Sequence, residues 1–94
     1  MGLVYEIIYR KQVLKDIPKL KEIGLNKKAK QLIDILKNNP YQNPPPYEKL
    51  VGDLSGTYSR RINNKHRLVY QINEEKKVIR ILSVWTHYEN IWKI

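Results

Sequence analysis

The sequence predicts an α+β domain in the order β-α-α-β-β-β, with two helices packed on one face of a twisted, mainly antiparallel sheet. Three observations predict it. Between residues 10 and 36 the apolar side chains recur at helical spacing, with one interruption at Gly24. From Tyr58 onward, three stretches rich in aliphatic, β-branched and aromatic residues are separated by short polar turns, which is the pattern of an antiparallel meander. Residues 40–47 hold four of the five prolines and divide the helical half from the strand half, yet they are too few to link separate domains. The 94 residues are therefore expected to form one domain, 1–94.

The elements follow in order. Leu3–Tyr9 reads as a first strand. Val13, Leu14, Ile17, Leu20 and Ile23 make the apolar stripe of a first helix over residues 10–23. Pro18 lies inside it, and the donor it lacks predicts a kink or a restart near Asp16. Gly24 is a left-handed stop. Asn26 caps a second helix whose stripe is Ala29, Leu32, Ile33 and Leu36, with Lys27, Lys28, Lys30 and Lys37 on the wet side. Asn38-Asn39-Pro40 ends it. Pro44-Pro45-Pro46 is extended and stiff, and it delivers the chain to Tyr47-Glu48-Lys49-Leu50. Gly52 and Gly56 mark turns. Val78–Trp85 is apolar apart from Arg80 and Ser83, as expected of a strand with neighbours on both sides. The first strand must rejoin this same sheet after the helices.

The stretch from Tyr58 to Tyr70 is the most informative. It reads as a hairpin turning at Asn63-Asn64-Lys65. Alternation sends Ser59, Arg61 and Asn63 to one face and Tyr58, Arg60 and Ile62 to the other. After the turn it separates Arg67, Val69 and Gln71 from His66, Leu68 and Tyr70. Any single Arg here reads as part of a solvated face. Arg60, Arg61, Arg67 and a His on one hairpin instead suggest an anion, and planar guanidinium groups match phosphate oxygens.

Composition narrows the function classes. Eighteen Lys and Arg stand against 9 Asp and Glu, a formal charge of +9, which points to nucleic acid or an acidic protein partner. Neither helix joins a bulky apolar face to Trp or Phe anchors, so a membrane is disfavoured. There is no Cys, and the only His residues are His66 and His87, a poor basis for a metal site. No cofactor motif, signal peptide or long apolar run is present, and a cytoplasmic protein without cofactor or metal is expected.

Cleaving RNA without a metal requires a base for the 2′-hydroxyl, an acid for the leaving 5′-oxygen and fixed positive charge for the phosphoryl oxygens. Glu48, His87, and Arg61 or Arg67 are the right types. Each has a structural alternative: Glu48 as a solvated residue after the prolines, His87 with Tyr88 as a strand-end pair packed on a helix. His66, at a hairpin edge, is left out of the chemistry.

Four ordered motifs carry a resemblance. They are Pro45-Pro46-Tyr47-Glu48-Lys49-Leu50, Leu54-Ser55-Gly56-x-Tyr58-Ser59-Arg60-Arg61-Ile62, His66-Arg67-Leu68-Val69-Tyr70 and Trp85-Thr86-His87-Tyr88. Together they resemble the YoeB/Txe toxins of the RelE/ParE superfamily of bacterial type II toxin–antitoxin systems. The likeness runs over nearly the whole chain and is strongest from Pro44 to Tyr88. It implies a RelE-like fold and an endoribonuclease that cuts mRNA in the ribosomal A site. It carries the general base onto Glu48, the catalytic arginine onto Arg67, the acid onto His87 and a substrate-orienting tyrosine onto Tyr88. Arg61, with Arg60 beside it, would line the substrate phosphate site. The implied partners are an acidic YefM/Axe-like antitoxin, the 70S ribosome with its mRNA, and promoter DNA only through the antitoxin.

Glu89–Ile94 extends past the point where many such toxins end, and Ile91, Trp92 and Ile94 are apolar enough to pack on the domain or on a second copy in a homodimer. Two other functions are compatible with the same fold: an antitoxin-bound co-repressor with altered catalysis, and a gyrase poison. The Glu, Arg and His set favours the nuclease, because inhibition without cleavage needs no paired acid and base.

Overall fold

The computed structural model describes residues 4–50 and 56–86. The order is β1 (Glu6–Tyr9), α1 (Lys11–Glu22), α2 (Asn26–Asn38), β2 (Glu48–Lys49), β3 (Thr57–Arg61), β4 (Arg67–Asn73) and β5 (Val78–Thr86). One sheet runs β1-β5-β4-β3-β2; β1 lies parallel to β5 and the other pairings are antiparallel. The expected α+β architecture is thus present, with one strand more than expected. That strand is β2, two residues paired with Tyr58 and Ser59 of β3. So short a strand beside prolines has no alternation to read. Val78–Thr86 lies between β1 and β4, which explains its nearly continuous apolar sequence.

The core is built from Val13 and Leu20 of α1, Ala29, Leu32 and Leu36 of α2, and Leu68, Tyr70, Ile79, Ile81 and Val84 of the sheet. The stripe of α1 differs from expectation. Leu14, Ile17 and Ile23 are 56%, 36% and 49% exposed, while Asp16 is buried. The helix meets the sheet along Val13, Asp16 and Leu20, a line at i, i+3 and i+7. Asp16 tolerates the interior because Gln12 Nε2 donates to it at 3.1 Å and Lys19 Nζ lies 3.2 Å away.

Nor does α1 break at Pro18; it is continuous from Lys11 to Glu22. Pro18 and Leu14, whose carbonyl loses its helical donor, both lie on the exposed side, where water can satisfy that carbonyl. Gly24 does stop the helix, at φ 75°. Its N–H reaches the Lys21 carbonyl and the Leu25 N–H reaches the Leu20 carbonyl, which together make a Schellman closure. The turn is so tight that α2 starts at once: Leu25 occupies the cap position and Asn26 is already helical, so the expected Asn26 side-chain cap does not form.

The proline segment bends, with cis peptide bonds at Asn43-Pro44 and Pro44-Pro45. The hairpin turns at residues 62–65, where the Asn63 side chain accepts from the Lys65 and His66 N–H groups. Two register shifts between β4 and β5 occur where β5 carries extra residues opposite Arg67, Val69 and Tyr70.

Candidate active site

Strand register brings the candidate residues together. Glu48 stands opposite Ser59, Ser59 opposite Val69, and Arg61 opposite Arg67. Paired residues share a face, so Glu48, Ser59, Arg61 and Arg67 all project from the side of the sheet away from the helices. Arg67 Nε donates to Ser59 Oγ at 2.6 Å, and Nη2 donates to Glu48 Oε1, also at 2.6 Å. The Arg67 side chain is 7% exposed and that of Glu48 is 47% exposed. A cation is therefore fixed at the base of the site, with a carboxylate at its mouth. Pro46, Tyr47, Glu48, Arg61 and Arg67 line a cleft of about 260 Å³.

Arg61 is exposed at the rim, where an incoming phosphate can reach it. Arg60 is a correction to the sequence reading. Alternation sends it to the helix side of the sheet, and there it is fully buried, which removes it from any surface phosphate site. Its donors go instead to the Tyr70 hydroxyl and to three backbone carbonyls of the proline segment. His66, excluded from the chemistry on sequence grounds, is buried and stacked on Trp85 at 4.3 Å and 23°. His87, Tyr88 and the Glu89–Ile94 segment lie outside the described residues. β5 ends at Thr86, opposite Arg67.

Ser59 is the site residue that sequence reading missed. It orients the Arg67 guanidinium, and its only signal was its place two residues before Arg61 on the same face. The register with β4 was needed to give that place meaning.

A second polar cluster lies elsewhere. The Glu74 carboxylate accepts from the Tyr5 hydroxyl at 2.9 Å, from the Tyr41 hydroxyl, and from Lys77 Nζ at 2.7 Å. Hydrogen bonds from Lys77, then Tyr41 and Tyr5, hold its pKa down to about 2. Burial pushes the Tyr70 phenol up to about 12 against the opposing pull of Arg60.

Two helices on one face of a five-stranded mixed sheet make the fold of the RelE-type toxins. The family described as YoeB-like toxin of bacterial type II toxin-antitoxin system matches residues 9–88. The chain belongs to that family. It is 40% identical over 55 residues to Toxin YoeB of Streptomyces coelicolor, covering 58% of this chain and 66% of that toxin, just under two thirds of its length. It is 38% identical over 65 residues to Toxin YoeB of Synechocystis, covering 69% and 73%. Among solved structures, the YoeB/ParE toxin from Agrobacterium tumefaciens superposes with a TM-score of 0.79 at 25% identity, over 88% of this chain and 99% of that one. The YoeB-YefM complex from Staphylococcus aureus gives 0.73 at 32% identity, over 89% and 98%. The YoeB dimer from the same organism gives 0.74 at 31%, also over 89% and 98%.

Proposed function

We infer that this toxin is a ribosome-dependent endoribonuclease that cuts mRNA in the A site by metal-independent acid–base catalysis. The observation that carries this reading is the Glu48–Arg67 contact of 2.6 Å in a cleft that Arg61 also lines. In this reading the scissile phosphate enters between Arg61 and Arg67. Glu48 takes the proton of the 2′-hydroxyl, and the 2′-oxygen attacks phosphorus. Arg67, already oriented by Ser59, stabilises the charge that grows on the phosphoryl oxygens without reorganising. His87, next in sequence after Thr86, gives its proton to the leaving 5′-oxygen, and Tyr88 orients the substrate. The products are a 2′,3′-cyclic phosphate and a 5′-hydroxyl.

In-line attack needs the attacking oxygen, phosphorus and leaving oxygen nearly collinear, and such positioning is worth roughly 7–11 kcal/mol at its upper limit. The described residues supply charged groups on a shallow sheet face rather than a groove that bends RNA, so the ribosome supplies the geometry. The toxin accordingly acts in the cytoplasm. Its antitoxin is an acidic YefM-like protein, through which alone it reaches promoter DNA, and it also pairs with a second copy of itself. The complex and the dimer known for the Staphylococcus aureus relatives support both associations.

A single-turnover comparison of one labelled message, free and bound in a 70S complex at saturating toxin, tests the reading. Cleavage at the A-site codon should be far faster on the ribosome. Rates that agree within a few-fold would make the protein a stand-alone ribonuclease. DNA damage without cut message in induced cells would make it a gyrase poison.

A further inference from the structure

Arg60 takes no direct part in the chemistry above, yet it is among the largest fully buried side chains of the described residues. It spends four of the guanidinium's five N–H donors inside the fold. Nε donates to the Tyr70 hydroxyl at 3.0 Å, Nη2 to the Pro40 and Gln42 carbonyls at 2.9 Å each, and Nη1 to the Pro45 carbonyl. Its carbon Cζ lies 4.9 Å from the Tyr47 ring centroid.

Burying a guanidinium carries a large desolvation cost before its bonds are counted, and among the described residues Arg60 pairs with no carboxylate. An aliphatic side chain would fill the same space without that cost, so the bonds must secure something an apolar residue cannot. All three carbonyls belong to the segment 40–45, where prolines at 40, 44 and 45 contribute no N–H of their own. That segment runs directly into Tyr47 and Glu48. β2 is only two residues long, so ladder hydrogen bonds alone fix Glu48 weakly. Tyr47 packs against both Arg60 and the Tyr58 ring, whose centroid is 5.8 Å from its own. One buried cation thus ties the whole approach to Glu48 onto β3, on the face opposite the cleft.

We propose that Arg60 is a positioning residue: by holding the 40–45 carbonyls it sets where β2 presents Glu48 to the substrate and to Arg67. The proposal rests on Glu48 being the general base. It makes adjacent arginines of one strand serve different ends, with Arg61 facing the phosphate and Arg60 fixing the base from behind.

The test is a double-mutant cycle in the single-turnover assay on ribosome-bound message, using the full chain, Arg60→Lys, Glu48→Gln and the double variant. Lysine keeps the charge but cannot reach three carbonyls and a hydroxyl at once. Arg60→Lys should lower the saturating rate by up to about 10²-fold while leaving the half-saturating toxin concentration unchanged. In the Glu48→Gln background the same change should cost nothing further, because the group it positions is gone. A residue that merely stabilised the fold would cost the same in both backgrounds. An equal loss in both, a wild-type rate for Arg60→Lys, or a loss confined to half-saturation overturns the proposal. A wild-type rate for Glu48→Gln overturns it too, and identifies the base assignment as the point of failure. Should Arg60→Lys not fold, Tyr70→Phe carries the test: it keeps the ring and removes the acceptor of Nε. A several-fold loss that vanishes in the Glu48→Gln background supports the proposal, and no loss or an independent loss overturns it.

Discussion

Arg67 and Glu48 meet at 2.6 Å with very different exposure, 7% for the Arg side chain and 47% for the Glu. The cation is built into the sheet and anchored behind by Ser59, while the carboxylate is half open to solvent. An ion pair with one partner half in water contributes little to folding, on the order of 0–1 kcal/mol. In the proposed chemistry its value lies in placing a base beside fixed positive charge.

Glu48→Gln should therefore abolish growth arrest while leaving thermal stability nearly unchanged. Removal of a general base typically costs about 10²–10⁴ in rate. Arg67→Lys should be comparably damaging, because an ammonium cannot bridge Ser59 Oγ and Glu48 Oε1 in the same fork geometry. Unfolding midpoints measured beside cleavage rates separate the two effects. A Glu48→Gln variant that lost stability and activity together would point to a structural carboxylate.

Arg61 and Arg60 should separate cleanly. Arg61→Ala removes an exposed rim cation, so it should weaken substrate capture and reduce the salt dependence of binding by about 0.7 in log–log slope, one phosphate contact on a single strand. Stability should hold. Arg60→Ala should instead destabilise the fold, because it leaves three carbonyls and a tyrosine hydroxyl without their donor. Binding slopes and urea midpoints for the two alanine variants check both halves.

This division marks where sequence reading stopped. Alternation along Tyr58–Ile62 correctly put Arg60 and Arg61 on opposite faces, because a strand's side-chain period is a local property. Which face the proline segment would cover is a non-local fact, so Arg60 could not be told from a phosphate ligand. Glu48 and Arg67 were legible as residue types and through family resemblance, but their contact depends on the β2–β3 and β3–β4 registers. In α1, Leu14 and Ile17 fit the helical period as well as Leu20 does. Only the position of the sheet turned the helix to bury Asp16 instead.

The Glu74 cluster predicts acid sensitivity of one sign. Its folded pKa, about 2, lies below the roughly 4.3 of an unfolded glutamate. The unfolded state therefore takes up the proton first as pH falls. The stabilisation from Lys77, Tyr41 and Tyr5 is fully present above the unfolded value and is lost as pH drops toward 2. Urea unfolding of wild type and Glu74→Gln should differ at pH 7 and converge as pH falls from about 4.3 toward the folded value. A gap that stayed constant down to acid pH would mean that the carboxylate charge contributes nothing. At the alkaline end Tyr70 has the opposite limb: its raised pKa, about 12, makes its contribution decline once pH passes the ordinary phenol value near 10.

The last prediction concerns antitoxin capture. The net charge is +9, and exposed lysines run along both helices, at 11, 15, 19 and 21 on α1 and at 27, 28, 30 and 37 on α2. Between these helices lies an apolar groove of about 330 Å³, floored by Leu20, Ala29 and Val84 and flanked by Ile17 and Ile33. In the proposed function, charge and apolar contact would make separable contributions to antitoxin binding. Long-range attraction raises the encounter rate and is screened once the Debye length falls from about 10 Å at 0.1 M to about 3 Å at 1 M salt. Apolar contacts act after encounter, slow dissociation and are not screened. Association of an acidic antitoxin should slow steeply between low and high salt, while its dissociation rate changes little. Stopped-flow association and competition-based dissociation across that range measure both. An association rate indifferent to salt would remove electrostatic steering from the account and leave only contact chemistry to explain recognition.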